Sequence, residues 1–252
     1  MSSDGLKAKT GCRMSNSIDE RAVAVLDYHD GSAGQVETWF QEVTGDHIAC
    51  FVHESPTQPT VDVEAEHRKR VSKLTEFPQN GEFKGRPLIA ATNWVEELLR
   101  RGIRKVLPLT PDNQTRLRQI AICRAHGMQL VSAIHPSVVV LPKAIIQPGV
   151  WINAGSIIGY KAEIASGVLI NTGVQIDHHN VLEECCQIDP AVVTAGNATF
   201  RRCSHIHTGA IVVNRVEIGE DTVVGAGSLV LSDLPARTVA WGVPARVVRT
   251  TN

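Results

Sequence analysis

No stretch of the 252-residue chain is apolar for the length of a membrane span, and residues 1–20 are polar and Ser-rich without the apolar segment of a secretory signal. The expected location is therefore the cytoplasm. Charge of one sign is also missing: 25 Lys and Arg against 26 Asp and Glu leave a net charge of −1. A nucleic-acid binder or a polybasic membrane-surface protein needs an electrostatic footprint that this balance does not supply. The expected partners are small molecules and further copies of the chain. C-x-x-C spacing is absent as well. Cys12, Cys50, Cys123, Cys185, Cys186 and Cys203 are scattered, which indicates neither a zinc knuckle nor a disulfide framework, and they read as buried, reduced thiols. As strand neighbours, Cys185 and Cys186 point to opposite faces and do not form a redox pair.

What is present divides the chain in three. A hydrophobic share of 43% over this length supports one large core or two modest ones. Residues 1–20 read as a loose leader. Over 21–131, apolar strand-like runs alternate with helical patterns: Ala22–Leu26, a helix face of Val36, Trp39, Phe40 and Val43, then Ile48–Val52. After a charged stretch from Glu54 to Gly85, with helical turns between Val63 and Leu74, come Leu88–Ala90, a helix over Trp94–Leu99, Val106–Leu109, a helix from Asn113 to His126 ended by Gly127, and Met128–Val131. This alternation predicts a small Rossmann-like, doubly wound α/β domain. The Gly31 and Gly34 turn lies where such folds present N–H groups to phosphate, yet it lacks the full G-x-G-x-x-G spacing and fits an ordinary turn equally well.

Over 132–252 the pattern changes. From Ile134 to Val230 an apolar residue recurs every six positions, broken only at Thr194. Two residues before each stands a residue that is mostly small or β-branched, from Ser132 to Ser228, with Asn180 and Cys186 in the same column. An inward i−2, i pair followed by a corner describes short parallel strands joined by tight turns, with three hexads closing one 18-residue coil. A period of six fits neither 3.6 nor 3.5, so an array of amphipathic helices is disfavoured. The C-terminal part is expected to be a left-handed parallel β-helix of hexapeptide repeats.

On these motifs the chain resembles the bacterial hexapeptide-repeat acyltransferases of nucleotide-linked amino sugars and sialic acids. The motifs are Ile134-His135-Pro136 at the solenoid entrance, Ile170-Asn171-Thr172-Gly173 leading to Ile176-Asp177-His178, Ala195-Gly196-Asn197, Gly225-Ala226-Gly227, and Gly242-Val243-Pro244-Ala245-Arg246. The resemblance implies an acetyl-CoA-dependent N- or O-acyltransferase with His178 as general base, no metal cofactor, and a homotrimer that places the CoA site between solenoids. Gly196 lies 18 residues after His178, one coil on and about 4.8 Å away; in the family its N–H meets the acyl carbonyl. Gly225, Ala226, Pro244 and Arg246 fall in the CoA-side motifs, and Asn171 on the substrate side. Where the family has an acidic residue after the base, this chain has His179, with Asp177 on the other side. Where the family has a histidine nine residues after the base, it has Gln187, with His205 one coil beyond. The family's Gly-rich turn is replaced by His29–Gly34 and the acidic end of its second strand by His53-Glu54, while Asn113 and Arg116 match its substrate-side loop, where a helix N-terminus and an Arg hold phosphate.

Two other readings stand beside this one. A γ-carbonic-anhydrase-like metal-dependent hydrase would use His178, His179, His205 and His207, although their spacing lacks that class's histidine pair five residues apart. A non-catalytic sugar- or CoA-binding homologue would keep the solenoid without its chemistry.

Overall fold

The computed structural model describes residues 19–54, 78 and 80–250. Most of the expected leader and the helical turns between Val63 and Leu74 lie outside the described residues. Among the described residues, no helix is long and apolar enough to cross a membrane.

The N-terminal layer is a six-stranded sheet. Its strands are β1 (Ala22–Val25), β2 (His47–His53), β3 (Glu82–Phe83), β4 (Arg86–Ala90), β5 (Lys105–Leu107) and β6 (Gln129–Leu130), in the order β3-β4-β2-β1-β5-β6. All its pairings are parallel except the β3–β4 hairpin. β1 is apolar throughout because both its faces are covered. Val23 and Val25 pack with Phe40 and Phe51 on one side, while Ala22 and Ala24 pack with Trp94 and Leu98 on the other. The single helix expected over Val36–Val43 is two, α1 (Ala33–Glu37) and α2 (Phe40–Thr44), and α2 ends at Gly45 in the left-handed region. Trp39 between them departs from helical geometry at φ −133°, so the apolar spacing marks two helix stubs turning on the same core. α3 (Trp94–Arg100) and α4 (Asn113–Ala125) complete the layer. Asp112 caps α4, accepting the Thr115 N–H at 2.8 Å.

From β7 (Ala133–Ile134) to β23 (Leu229–Val230) the chain coils through two-residue parallel strands that stack into three sheets. Pairings such as Trp151↔Leu169, Leu169↔Gln187 and Gln187↔His205 fix one coil at 18 residues, and the solenoid is a left-handed β-helix. Its interior is a continuous apolar column running through Ile152, Ile170, Ile188, Phe200 and Val224. The first coil departs from the expectation that both columns are covered: Val140 is 46% exposed, since an end coil has a stacking neighbour on one side only. A C-terminal hairpin of β24 (Thr238–Gly242) and β25 (Ala245–Thr250) extends one sheet, with a cis Val243–Pro244 bond at its turn.

Two contacts seat the layer on the solenoid. The outward residues Trp151 and Leu169 join the core of the N-terminal sheet, and Ile120 of α4 packs on the coil corners at Cys185 and Cys203. Arg116, on the same helix, is completely buried there. The described cysteines are free and buried. Burial pushes the Cys186 thiol up to about 12, as suits packing rather than redox chemistry.

Candidate active site

The corner after β14 (Gln175–Ile176) carries Asp177, His178 and His179. His179 takes φ +56°, in the left-handed region that histidine tolerates better than bulky apolar residues, and this turn swings the two imidazoles against each other. His178 Nδ1 and His179 Nδ1 lie 3.1 Å apart, within hydrogen-bond distance, and the Tyr160 ring meets His179 edge-on at 5.6 Å. The Asp177 carboxylate accepts the backbone N–H of His178 at 2.7 Å. Asp177 therefore braces the turn and does not take the expected place of substitute orienter of the ring: among the described residues the imidazole's hydrogen-bond partner is His179.

One coil on, the Asn197 N–H donates to His178 O at 2.9 Å, which fixes Gly196 beside His178. The imidazole occupies the space a side chain would take, because a Cβ built at 196 would lie 2.5 Å from His178 Nε2 and 2.7 Å from Nδ1. On the other side Gly159 is equally tight, its hypothetical Cβ 2.7 Å from His178 N.

Beneath this corner the apolar column is interrupted. Asn180 and Thr194 are buried. Thr194 Oγ1 accepts from Asp177 N at 3.1 Å and from Asn180 Nδ2 at 2.6 Å, while Asn180 Oδ1 accepts from Ala198 N at 2.6 Å. These residues satisfy backbone and side-chain donors that would otherwise be stranded in an apolar core. Sequence reasoning did not assign them to the site. The one break in the hexad series, at Thr194, was the signal for them.

A cavity of about 590 Å³ runs along the adjoining sheet, lined by Gly159, Gln175, Asp177, Thr194, Ala195 and Asn214 with an apolar wall of Ile157, Val193 and Ile211. On the next face, Gln187 Nε2 donates to Asp189 Oδ1 at 3.2 Å. His205 Nε2 and His207 Nδ1 approach Asp189 Oδ2 at 3.1 and 2.9 Å. Burial pushes the Asp189 carboxyl up, but the hydrogen bonds from His205 and His207 outweigh it and hold it well below the usual carboxylate range. The four histidines of the hydrase reading do not converge: among the described residues, the one group of metal-ligating side chains within reach of one another is Asp189, His205 and His207. Asn113 and His205 line a second cavity of about 590 Å³, and Asn113 Nδ2 donates to Cys203 O at 3.0 Å.

The expectation that Arg116 holds a phosphate is overturned. Its guanidinium is sealed between the layers and donates to Gly167 O at 2.7 Å, Thr110 O at 2.5 Å, Pro111 O at 3.4 Å, Asn113 Oδ1 at 2.6 Å and Cys185 O at 2.8 Å. Glu54 is engaged too, paired with Arg118 and accepting from Gln119. In the turn after β1, Asp27 accepts from Ser32 and from His29 Nδ1, the latter at 2.7 Å; that hydrogen bond raises the His29 pKa against the opposing effect of burial. Gly31 has open space about its Cα, whereas Gly34 lies inside α1 against Asp30 and Lys84. Asn171 Oδ1 accepts the Thr172 N–H at 2.8 Å. Toward the C-terminus a Cβ at Gly225 would lie 2.7 Å from Trp241 Cβ. Ala226 follows on the same corner, while Pro244 and Arg246 belong to the final hairpin, where Arg246 Nη1 donates to Ala245 O at 2.9 Å.

Comparison with known proteins shows which enzymes the chain resembles. A perosamine N-acetyltransferase mutant from Caulobacter crescentus, solved with CoA and GDP-perosamine, superimposes with a TM-score of 0.75 at 28% identity, over 92% of this chain and 99% of that one. Over nearly its whole length the chain resembles the hexapeptide-repeat sugar acyltransferases. The acetyltransferase domain of PglB from Neisseria gonorrhoeae, solved with acetyl coenzyme A, shares the fold at a TM-score of 0.72 and 24% identity, over 90% of this chain and 99% of that domain. Serine acetyltransferase of Salmonella typhimurium is 32% identical over 97 residues, 34% of this chain and 36% of that enzyme. This hexapeptide-repeat chain thus spans about a third of the length of that curated relative, and no family model matches it.

Proposed function

We propose that the protein transfers an acetyl group from acetyl-CoA to the amine or hydroxyl of a nucleotide-linked amino sugar. The observation that carries this reading is the His178 imidazole lying over the Gly196 backbone, in a fold shared over its length with an enzyme solved with CoA and a GDP-linked sugar. His178 Nε2 takes a proton from the acceptor as its nitrogen or oxygen attacks the thioester carbonyl. The Gly196 N–H faces the developing oxyanion. The C–S bond then breaks, and the CoA thiolate leaves with the proton returned by His178.

Gln187 and His205 stand on the thioester side, with Gly225, Ala226, Pro244 and Arg246 along the CoA groove. Gly31, Asn171 and the His29–Ser32 turn serve the acceptor, and Arg116 is released from that role by its burial. Val139, Ile157, Val193 and Ile211, each between 36 and 50% exposed, stand in one column on the sheet beside His178, with Gln175 between Ile157 and Val193. A homotrimer would cover this face and complete the groove.

Gly196→Ala tests the juxtaposition. Its methyl group must displace the His178 ring, so kcat is expected to fall about 100-fold, with circular dichroism unchanged. Normal turnover would detach catalysis from this corner. The reading as a whole is tested by titrating acetyl-CoA into the protein in a calorimeter, with its mass measured by light scattering. Saturable binding near one CoA per subunit of a trimer is the expected result. No heat at millimolar acetyl-CoA would sink acetyl transfer.

A further inference from the structure

Away from the His178 corner, three metal-ligating side chains meet on the outer face of the sheet that contains β16 (Gln187–Ile188) and β19 (His205–Ile206). The i, i+2 spacing puts His205 and His207 on the same side of the chain, and the 18-residue coil sets Gln187 beside His205 and Asp189 beside His207. Asp189, His205 and His207 each offer one ligand atom, all within 4.8 Å of one another, and all three residues are half-buried. The two imidazoles are tilted 41° with centroids 4.0 Å apart, which aims one nitrogen of each at the same carboxylate oxygen.

A tetrahedral zinc ion with bonds of about 2.0–2.1 Å spaces its ligands roughly 3.3 Å apart. The separations here, 3.1 Å from Asp189 Oδ2 to His205 Nε2 and 2.9 Å to His207 Nδ1, come within a few tenths of an ångström of that. A second observation points the same way. Gln187 Nε2 holds Asp189 Oδ1, while Gln187 Oε1 is buried with no hydrogen-bond partner among the described residues. A water on an ion's open position is the donor this oxygen needs, and the Gln187–Asp189 bond is the outer-shell contact that orients a ligating carboxylate.

We propose that Asp189, His205 and His207 bind one divalent first-row transition ion, of the zinc class, with at least one position left to water. Two imidazole nitrogens disfavour magnesium and calcium, which take oxygen ligands. The ion would join two successive coils just beyond Leu169, the last outward residue of this column that enters the apolar core of the N-terminal layer. It shares His205 with the thioester side of the acyl-transfer site proposed above, but no step of that transfer is assigned to the ion. Because its binding is measured without acyl donor, failure of either proposal leaves the other standing.

The test uses tag-free, full-length protein stripped with chelator, titrated with zinc chloride by calorimetry and with cobalt(II) by visible absorption. One ion per subunit is expected, with a cobalt ligand-field band. His207→Gln and Asp189→Asn are expected to weaken binding about 100-fold or more with circular dichroism unchanged, whereas the double variant His178→Ala, His179→Ala retains the site. X-ray absorption on zinc-loaded wild-type protein keeps the proposal testable should those variants misfold, and is expected to show two imidazoles. No saturable uptake by the wild type, equal binding by His207→Gln, or a zinc shell lacking imidazole would each overturn the proposal and leave a hydrogen-bonded cluster.

Discussion

Replacing His178 by Ala is expected to lower the rate of acetyl transfer about a thousandfold, within the range a positioned general base contributes, while acetyl-CoA still binds. The size of the effect depends on which tautomer the corner holds. His178 Nδ1 and His179 Nδ1 face each other at 3.1 Å, so one must donate and the other accept. Nε2 of His178 has a free lone pair for the acceptor's proton only when its Nδ1 carries the hydrogen and His179 accepts. A carboxylate at 179 can only accept, whereas a histidine can also donate, which would leave His178 in the wrong tautomer. His179→Asp is therefore expected to match or exceed wild-type kcat, and His179→Phe to reduce it about 10-fold at unchanged KM. Steady-state thiol release with titrated acceptor reads all three variants. Undiminished turnover by His178→Ala would remove the base from the mechanism, and loss of CoA binding in that variant would make His178 a binding residue instead.

The second large effect is on stability. Arg116→Met should destabilise the protein by about 3–5 kcal/mol, because a side chain of similar length leaves buried carbonyls without donors. For a chain of this size that corresponds to a fall in Tm of roughly 10 °C. The guanidinium is buried completely, and burial lowers its pKa, yet its five N–H groups meet five acceptors drawn from the α4 entrance and from two solenoid corners. Differential scanning calorimetry of wild type and variant measures the change. A shift of less than 2 °C would mean that the layers are held by their apolar contacts, Ile120 on Cys185 and Cys203 and the N-terminal core on Trp151 and Leu169.

Arg116 shows where reading the sequence stops. A lone Arg at a helix start, after Thr110-Pro111-Asp112, carries the same local pattern whether it faces a phosphate or a second layer of the fold. Only the packing of α4 on the coil corners buries it. Glu54 is a similar case: an acidic strand end looks available until Arg118, 64 residues away, is folded onto it. By contrast, β1 and α4 were readable, because a continuous apolar run and a capped helical segment ended by Gly127 are local signals. The span from Val36 to Val43 misled because helical spacing survives a break at Trp39 when both stubs face one core.

The solenoid is encoded in the chain's periodicity. A period of six with an inward pair and a corner has one folded solution, in which each coil is recognised by its neighbours through short, local contacts. It also placed Gly196 beside His178, because 18 residues make one coil wherever the chain lies. Tertiary structure alone decided what the exceptions are for. Asn180 and Thr194 are polar so that the corner bearing His178 has satisfied backbone groups, His179 takes the place beside the imidazole, and Asp189, His205 and His207 gather around one oxygen. Those outcomes depend on side-chain directions and on the burial imposed by neighbouring coils and the covering layer, which no periodicity in the chain encodes.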